Sequence, residues 1–192
     1  MRLLLGTLFT LVIAAVVGLG TTYLALTHDT AFGAMTIGSW TAFPKTGTTD
    51  VDPYARALFA RTGRLPLALG DGVAFLARTD DKGRALDGRC DVVLTGITPA
   101  ARFWTLTLYT VNGELAANSV HRHGFTSQEI VRRADGSFRI SIAPRAEPGN
   151  WLPTGGIERY VLDLRFYDTS VGVATREGRE VPMPSIATRS CP

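Results

Sequence analysis

Arg102-Phe-Trp-Thr-Leu-Thr-Leu-Tyr-Thr-Val111, followed by Asn112-Gly113, is the stretch that decides the fold class. Its side chains alternate. Trp104, Leu106 and Leu108 fall on one face of an extended chain, and Phe103 and Tyr109 fall on the other among threonines. A period of two over this length reads as a half-buried strand. Asn-Gly favours a tight hairpin turn, so residues 114–120 are expected as the return strand. Upstream, residues 73–78 and 89–95 read as strands, the first ended by Asp80-Asp-Lys-Gly83. Downstream, residues 128–133 and 137–143 flank Ala134-Asp-Gly136, a second hairpin signal. In the latter strand Phe138, Ile140 and Ile142 face one way, and Arg139 and Ser141 the other. The last long strand covers 159–168. Tyr160, Leu162, Leu164 and Phe166 form its inner face, and Val161, Asp163, Arg165 and Tyr167 its outer one. One short helix precedes the strands: Asp52 caps it, Pro53 takes its first position and Gly63 ends it. The pattern is mainly β, an antiparallel β-sandwich or jelly roll with one short helix in front.

The 192 residues suit one domain, and 45% hydrophobic with 19% charged residues is ordinary for a globular chain. The net charge is +3, from 20 Lys+Arg against 17 Asp+Glu. No basic cluster is longer than Arg132-Arg133, so no nucleic-acid partner is expected. Residues 3–26 carry no charged side chain, and about 20 apolar residues suffice to cross a bilayer as a helix. Arg2 precedes this run, and His28 and Asp29 follow it. The positive-inside rule then keeps the N-terminus in the cytoplasm and exports the rest. A cleaved signal peptide is the rival reading, with Ala31-Phe32-Gly33 as a weak cleavage site. Its apolar region is usually shorter than this one. The expected organisation is an anchor over 1–27 in the inner membrane, a Gly/Thr-rich stalk over 28–51 and an exported, periplasmic β-domain over 52–192. Both cysteines, Cys90 and Cys191, lie beyond the anchor and are expected to form one disulfide.

Few residues carry chemistry. His121-Arg122-His123, if on a strand, places two imidazoles on one face. A metal needs a third ligand. Glu129 or Asp163 could serve, but no spacing selects either, and no metal is assigned. G-x-S-x-G, P-loop and G-x-G-x-x-G patterns are absent, so no cofactor is expected. Trp151, in Gly149-Asn-Trp-Leu-Pro153, reads as a loop that plugs one end of the sandwich or offers a platform to an apolar ligand or sugar. Arg122 and Arg165 could hold an anion, or pair with Asp163 or Asp168 in a structural bridge.

Ala101-Arg-Phe-Trp-Thr-Leu-Thr-Leu-Tyr109, Asn112-Gly113, Asn118, Arg122, Ala134-Asp-Gly-Ser137, Gly149-Asn-Trp-Leu-Pro153 and Leu164-Arg-Phe-Tyr167 together resemble the core of domain-of-unknown-function family 1214. Asp52-Pro-Tyr-Ala-Arg-Ala57 resembles the helix that opens it, so the resemblance covers about residues 50–170. It implies a bacterial protein with an antiparallel β-rich fold and no established general activity. In many members this domain follows a second one, family 1254, in the same chain. Here an apolar segment takes that place, and a separately encoded chain of that type becomes an expected partner. After Asn118 the family has Pro and then Ile-Asn-Arg-Tyr, whereas this chain has Ser119-Val-His-Arg-His123. The His pair is therefore peculiar to this version, while Arg122, Trp151 and Arg165 fall on the motif. Two functions are carried forward: an envelope binding or interaction module using Arg122, His121, His123, Trp151 and Arg165, and an exported metal-dependent or hydrolytic enzyme using the His121-Arg122-His123 region.

Overall fold

The computed structural model describes residues 2–27, 34–62, 67, 70–171 and 180–192. Its elements in chain order are α1 (Arg2–Thr27), β1 (Met35–Ile37), β2 (Trp40–Ala42), α2 (Pro53–Thr62), β3 (Gly72–Ala77), β4 (Asp91–Gly96), β5 (Ala101–Thr110), β6 (Gly124–Thr126), β7 (Phe138–Ala143), β8 (Asn150–Pro153), β9 (Tyr160–Thr169) and β10 (Ser185–Ser190). The strands form two sheets, ordered β1-β2-β3-β9-β5-β6 and β10-β4-β7-β8. All pairings are antiparallel except β7 with β8, which run parallel.

The alternation of β5 and β9 explains the packing. Leu106 pairs with Leu164 and Leu108 with Leu162, all turned to the same side and all buried. Phe75 of β3 joins them, its ring edge-on to Phe166 at 5.9 Å. From the smaller sheet, Leu94, Ile140, Ile142, Leu152 and Ile186 complete a single core. Trp104 reaches across to Phe138, ring centroids 5.4 Å apart. Each buried aliphatic or aromatic side chain contributes about 1.5–3 kcal/mol. This core holds the two sheets face to face.

Helix α1 is apolar all round. None of its membrane-length stretch, Arg2–Ala25, is buried against the protein. Its hydroxyls turn inward on its own backbone: Thr7 donates to Leu3 O at 2.7 Å and Thr21 to Val17 O at 2.8 Å. Each hydroxyl thereby has a partner within the helix itself. The helix has the length and composition of a membrane span or a signal sequence. Residues 28–33, with the candidate cleavage site and His28, lie outside the described residues, as does Gly63. Helix α2 starts as read: the amides of Tyr54 and Ala55 donate to Asp52 Oδ1 at 2.9 and 3.2 Å.

Several strand expectations are corrected. Residues 35–42, inside the expected stalk, form the β1–β2 hairpin, and β2 pairs with β3. Trp40 and Ala42 are core residues, and Trp40 Nε1 donates to Pro184 O at 2.8 Å. The return strand over 114–120 reduces to one bridge, Tyr109 with Leu115. The turn at Asn112-Gly113 does form, with Gly113 N donating to Thr110 O at 3.0 Å. Residues 116–122 then swing outward, and pairing with β5 resumes at β6, where Gly124 faces Thr107. Two causes are visible. Asn118 ties its side chain to both backbone groups of Arg122, and Ala117 O packs on Gly155 so closely that a Cβ there would collide with it. Residues 128–133 form no strand beyond the bridge of Arg132 with Phe138. The buried Asn150 side chain takes the place of a strand partner. Its Oδ1 accepts from Val131 N, and its Nδ2 donates to Val131 O and Arg139 O, each at 2.9 Å. The stretch at 150–153, read as a loop, is strand β8.

Cys90 and Cys191 are bonded, across a sequence separation of 101. The bond lies beside the pairing of Ser190 with Asp91 and seals the end of the β10–β4 ladder. The turn after β3 is tied to β10 through Asp80. This buried carboxylate accepts from Lys82 N (3.0 Å), Arg84 N (2.9 Å), Arg84 Nε (2.8 Å) and Thr188 Oγ1 (2.8 Å). Burial alone would push the carboxyl pKa up. The bonds from the Arg84 backbone and side chain, Thr188 and Lys82 outweigh it and hold the group well below the usual carboxylate range.

Candidate functional site

The outer face of the larger sheet carries an ion pair. On β9 the inner positions are Leu162, Leu164 and Phe166, so Asp163 and Arg165 point the other way. Leu76 of β3 and Thr107 of β5 flank Asp163, while Ala74 and Thr105 flank Arg165. Arg165 Nε and Nη2 both donate to Asp163 Oδ2, at 3.0 and 2.9 Å. Asp163 is 3% exposed, and its Oδ1 has no hydrogen-bond partner among the described residues. Burial would lower the Arg165 pKa, but the Asp163 carboxylate, helped by Tyr109 and Tyr167, raises it further, so the guanidinium stays charged.

Chain segments from the far N-terminal side build a wall over this pair. After β2 the backbone turns sharply, with Thr46 N donating to Phe43 O at 3.0 Å, and brings Phe43 against Phe59 of α2. The two rings meet edge to face at 5.7 Å. Phe43 and Phe59 with Ala74, Leu76, Asp163 and Arg165 line a narrow cleft with a cavity volume of about 30 Å³, room for about one water molecule. The lining is mostly apolar, with Thr46, Asp163 and Arg165 as its polar and charged side chains among the described residues.

The other expected site residues gather elsewhere. Arg122 Nη1 donates to Trp151 O at 3.0 Å, and its guanidinium lies over the Phe125 ring at 5.4 Å. These contacts fasten the 116–122 excursion to β8. Trp151 is half-buried, and its Nε1 donates to Ala143 O at 3.1 Å, closing the end of β7. His121 and His123 do not share a strand face. His121 is exposed, with φ 52, in the left-handed region. His123 Nδ1 lies 3.0 Å from Ala116 O, which fixes the ring as an Nδ1–H donor there. Among the described residues no group of three His, Cys, Asp or Glu side chains is placed to hold a metal ion. The second acidic candidate for Arg165, Asp168, is a positive-φ residue near the end of β9, and Asp163 takes the pair.

Most of the Asn-Trp-Leu-Pro motif is thus architecture. Asn150 replaces a strand, Trp151 closes one, Leu152 fills the core, and Pro153 sits where an edge strand tolerates it. The sequence reads Phe43 only as packing back on the domain or meeting a membrane interface, and it does not single out Phe59. The one signal was the alternation on β9, which puts an acid and a base two residues apart on a face otherwise destined for cover.

A family model described as a protein of unknown function, DUF1214, matches residues 71–171. No curated protein matches the chain. Among solved structures, the VPA0106 protein from Vibrio parahaemolyticus is similar at 25% identity and a TM-score of 0.59, covering 73% of this chain and 36% of that one. An uncharacterized protein from Burkholderia cenocepacia matches at 18% identity and a TM-score of 0.42, covering 64% of this chain and 32% of that one. The chain therefore spans about a third of the length of these relatives.

Proposed function

Because the chain belongs to the DUF1214 family, we propose that it is a membrane-anchored cell-envelope protein whose β-domain acts as a binding or interaction module. In this reading α1 stays uncleaved in the cytoplasmic membrane with its N-terminus inside, and the domain faces the periplasm. The observation that carries it is the exposed apolar surface of α1, joined to a domain with its own closed core. Such a surface is stable only in lipid or against a partner. The bond between Cys90 and Cys191 supports an oxidising compartment for the domain. Arg2 ahead of the helix supports an inward N-terminus.

The expected partner is a separately encoded chain of the family 1254 type. Its support is that the Vibrio relative is matched over only 36% of its length, so such folds occur beside further polypeptide. Affinity purification of the full-length protein from solubilised membranes, with identification of co-purifying chains, tests this reading. Recovery of a companion chain in near-equal amount is expected, and recovery of the protein alone overturns the partner. A periplasmic location for the domain predicts that protease added to spheroplasts removes residues beyond α1 while the membrane stays sealed. Protection of the domain overturns the orientation. An enzyme built on His121-Arg122-His123 has no geometric support here, since one ring stands in solvent and the other is engaged by Ala116 O.

A further inference from the structure

We propose that α2 is an interfacial helix. It lies in the headgroup layer at the C-terminal end of α1, with Arg56 and Arg61 on the phosphates of anionic phospholipids. The inference rests on the reading of α1 as a retained anchor, and it makes the lipid surface a partner of the β-domain itself.

The depth of α2 follows from α1. The apolar stretch Arg2–Ala25 has 24 residues, about 36 Å as a helix against a hydrocarbon core of about 30 Å. Its C-terminal end therefore emerges among the headgroups. Side chains from Arg2 through Leu24 are all exposed, and Ala25 is the first to be partly covered. Helices α1 and α2 meet, and the covered end of α1 is where the meeting falls. Tyr23, exposed just before that end, is of a type that collects at the membrane–water boundary. An element that touches α1 there shares its depth, the level at which interfacial helices lie.

The composition of α2 suits that depth. Ala55 is buried and Phe59 is half-buried with its ring on Phe43, so these positions one turn apart face the domain. The positions turned away are Pro53, Tyr54, Ala57, Ala60 and Arg61, with Arg56 on the flank, and all are exposed. This face is small and apolar, with a tyrosine near its start and an arginine near its end. The helix Pro-Tyr-Ala-Arg-Ala-Leu-Phe-Ala-Arg-Thr carries two arginines and no acid. Anionic lipid attracts such a helix. Arginine lays its apolar stem along the interface and places its guanidinium bidentately on a phosphate. The bilayer that takes the apolar surface of α1 thus continues onto α2 at its rim.

The test uses the full-length protein in liposomes of phosphatidylcholine mixed with phosphatidylglycerol, and of phosphatidylcholine alone. Single spin labels are placed through Leu11→Cys in α1, Ala57→Cys on the exposed face of α2, and Ala187→Cys on β10. Ala187 is exposed on the outer face of the smaller sheet, across the sandwich from α2. Collision with oxygen, which favours lipid, and with a water-soluble nickel chelate reads the depth of each label. In the mixed lipid the Leu11 label is expected deep in hydrocarbon, the Ala57 label at headgroup depth and the Ala187 label in water. Each arginine near an anionic surface is worth about fivefold, so Arg56→Gln with Arg61→Gln should lower the docked-to-free ratio of the Ala57 label about 25-fold. Omitting phosphatidylglycerol should shift it the same way. An Ala57 label as aqueous as the Ala187 label, beside a lipid-immersed Leu11 label, overturns the inference and leaves the anchor standing. An Ala57 label shielded from both reagents means a protein surface covers α2, and overturns it too. Depth at Ala57 that ignores both the arginines and phosphatidylglycerol overturns the anionic lipid. A Leu11 label in water overturns the anchor and the inference with it.

Discussion

Replacing Asp80 is the sharpest test of how the domain is held together. Its side chain is 0% exposed, while that of Arg84, its ionic partner, is 52% exposed. The salt bridge itself, at 2.7 Å, is therefore largely screened and contributes little. The stability resides in the other bonds: two backbone amides, Lys82 and Arg84, and the Thr188 hydroxyl of β10. Hydrogen bonds to a charged acceptor contribute about 1.5–3 kcal/mol each, and they are not additive when they share one atom. Removing the acceptor leaves two amides and one hydroxyl unsatisfied, at about 1–3 kcal/mol for each such group and less than their sum together, about 3–5 kcal/mol. Asp80→Ala is expected to lose that amount. Asp80→Asn keeps an acceptor for the two amides and should lose about half as much. Arg84→Ala should lose about 1 kcal/mol or less. Urea unfolding followed by fluorescence of the buried Trp40 and Trp104 measures all three. The pH dependence has a definite sign. The folded pKa of Asp80 lies below its unfolded value, so its contribution is complete above about pH 5 and is lost as pH falls through the folded pKa. The gap between wild type and Asp80→Asn should therefore close on acidification. Arg84→Ala as damaging as Asp80→Ala, or a gap that persists unchanged into strong acid, would refute the reasoning.

Other expectations follow from single contacts. The Tyr160 hydroxyl is buried without a partner among the described residues, and burial, aided by the nearby Asp87 charge, pushes its pKa up. Tyr160→Phe should thus leave stability unchanged or raise it by about 1 kcal/mol, and a loss above that in a thermal melt would reveal a missed partner. Cys90→Ser with Cys191→Ser removes a link across 101 residues, worth about 4–5 kcal/mol in the chain-entropy model. Reduction of the wild type should give the same lowered urea midpoint. Asn150→Leu deprives Val131 and Arg139 of three bonds and should cost about 2–4 kcal/mol, with hydrogen exchange at Val131 N accelerating first.

The parts of the fold legible in sequence are those where burial imposes a period. Residues 101–110 and 160–169 alternate because one face of each meets the core, and both are strands within a residue of their reading. β10 carries one fully buried side chain, Ile186, so no period marks it. β1 and β2 have three residues each, too few to repeat anything. Where a side chain does the work of a backbone, as Asn150 does for residues 130–132, the strand pattern is absent in sequence because the strand is absent in space. For the site, Arg165 and its acidic partner were visible as neighbours on one strand face. That Phe43 packs back on the domain was legible, but its meeting with Phe59 over the pair was not, since both come from segments more than a hundred residues away.

The strand order also has a kinetic consequence. β9 is the centre of the larger sheet, yet β3 and β5, its two neighbours, precede it by tens of residues and do not pair with each other. β4 likewise waits for β10 across a separation near a hundred residues. High contact order of this kind makes folding slow, in milliseconds to seconds. While residue 160 has not yet emerged, β3 and β5 have no template and the chain remains open. For a domain exported as proposed above, that delay would keep the chain unfolded while it crosses the membrane.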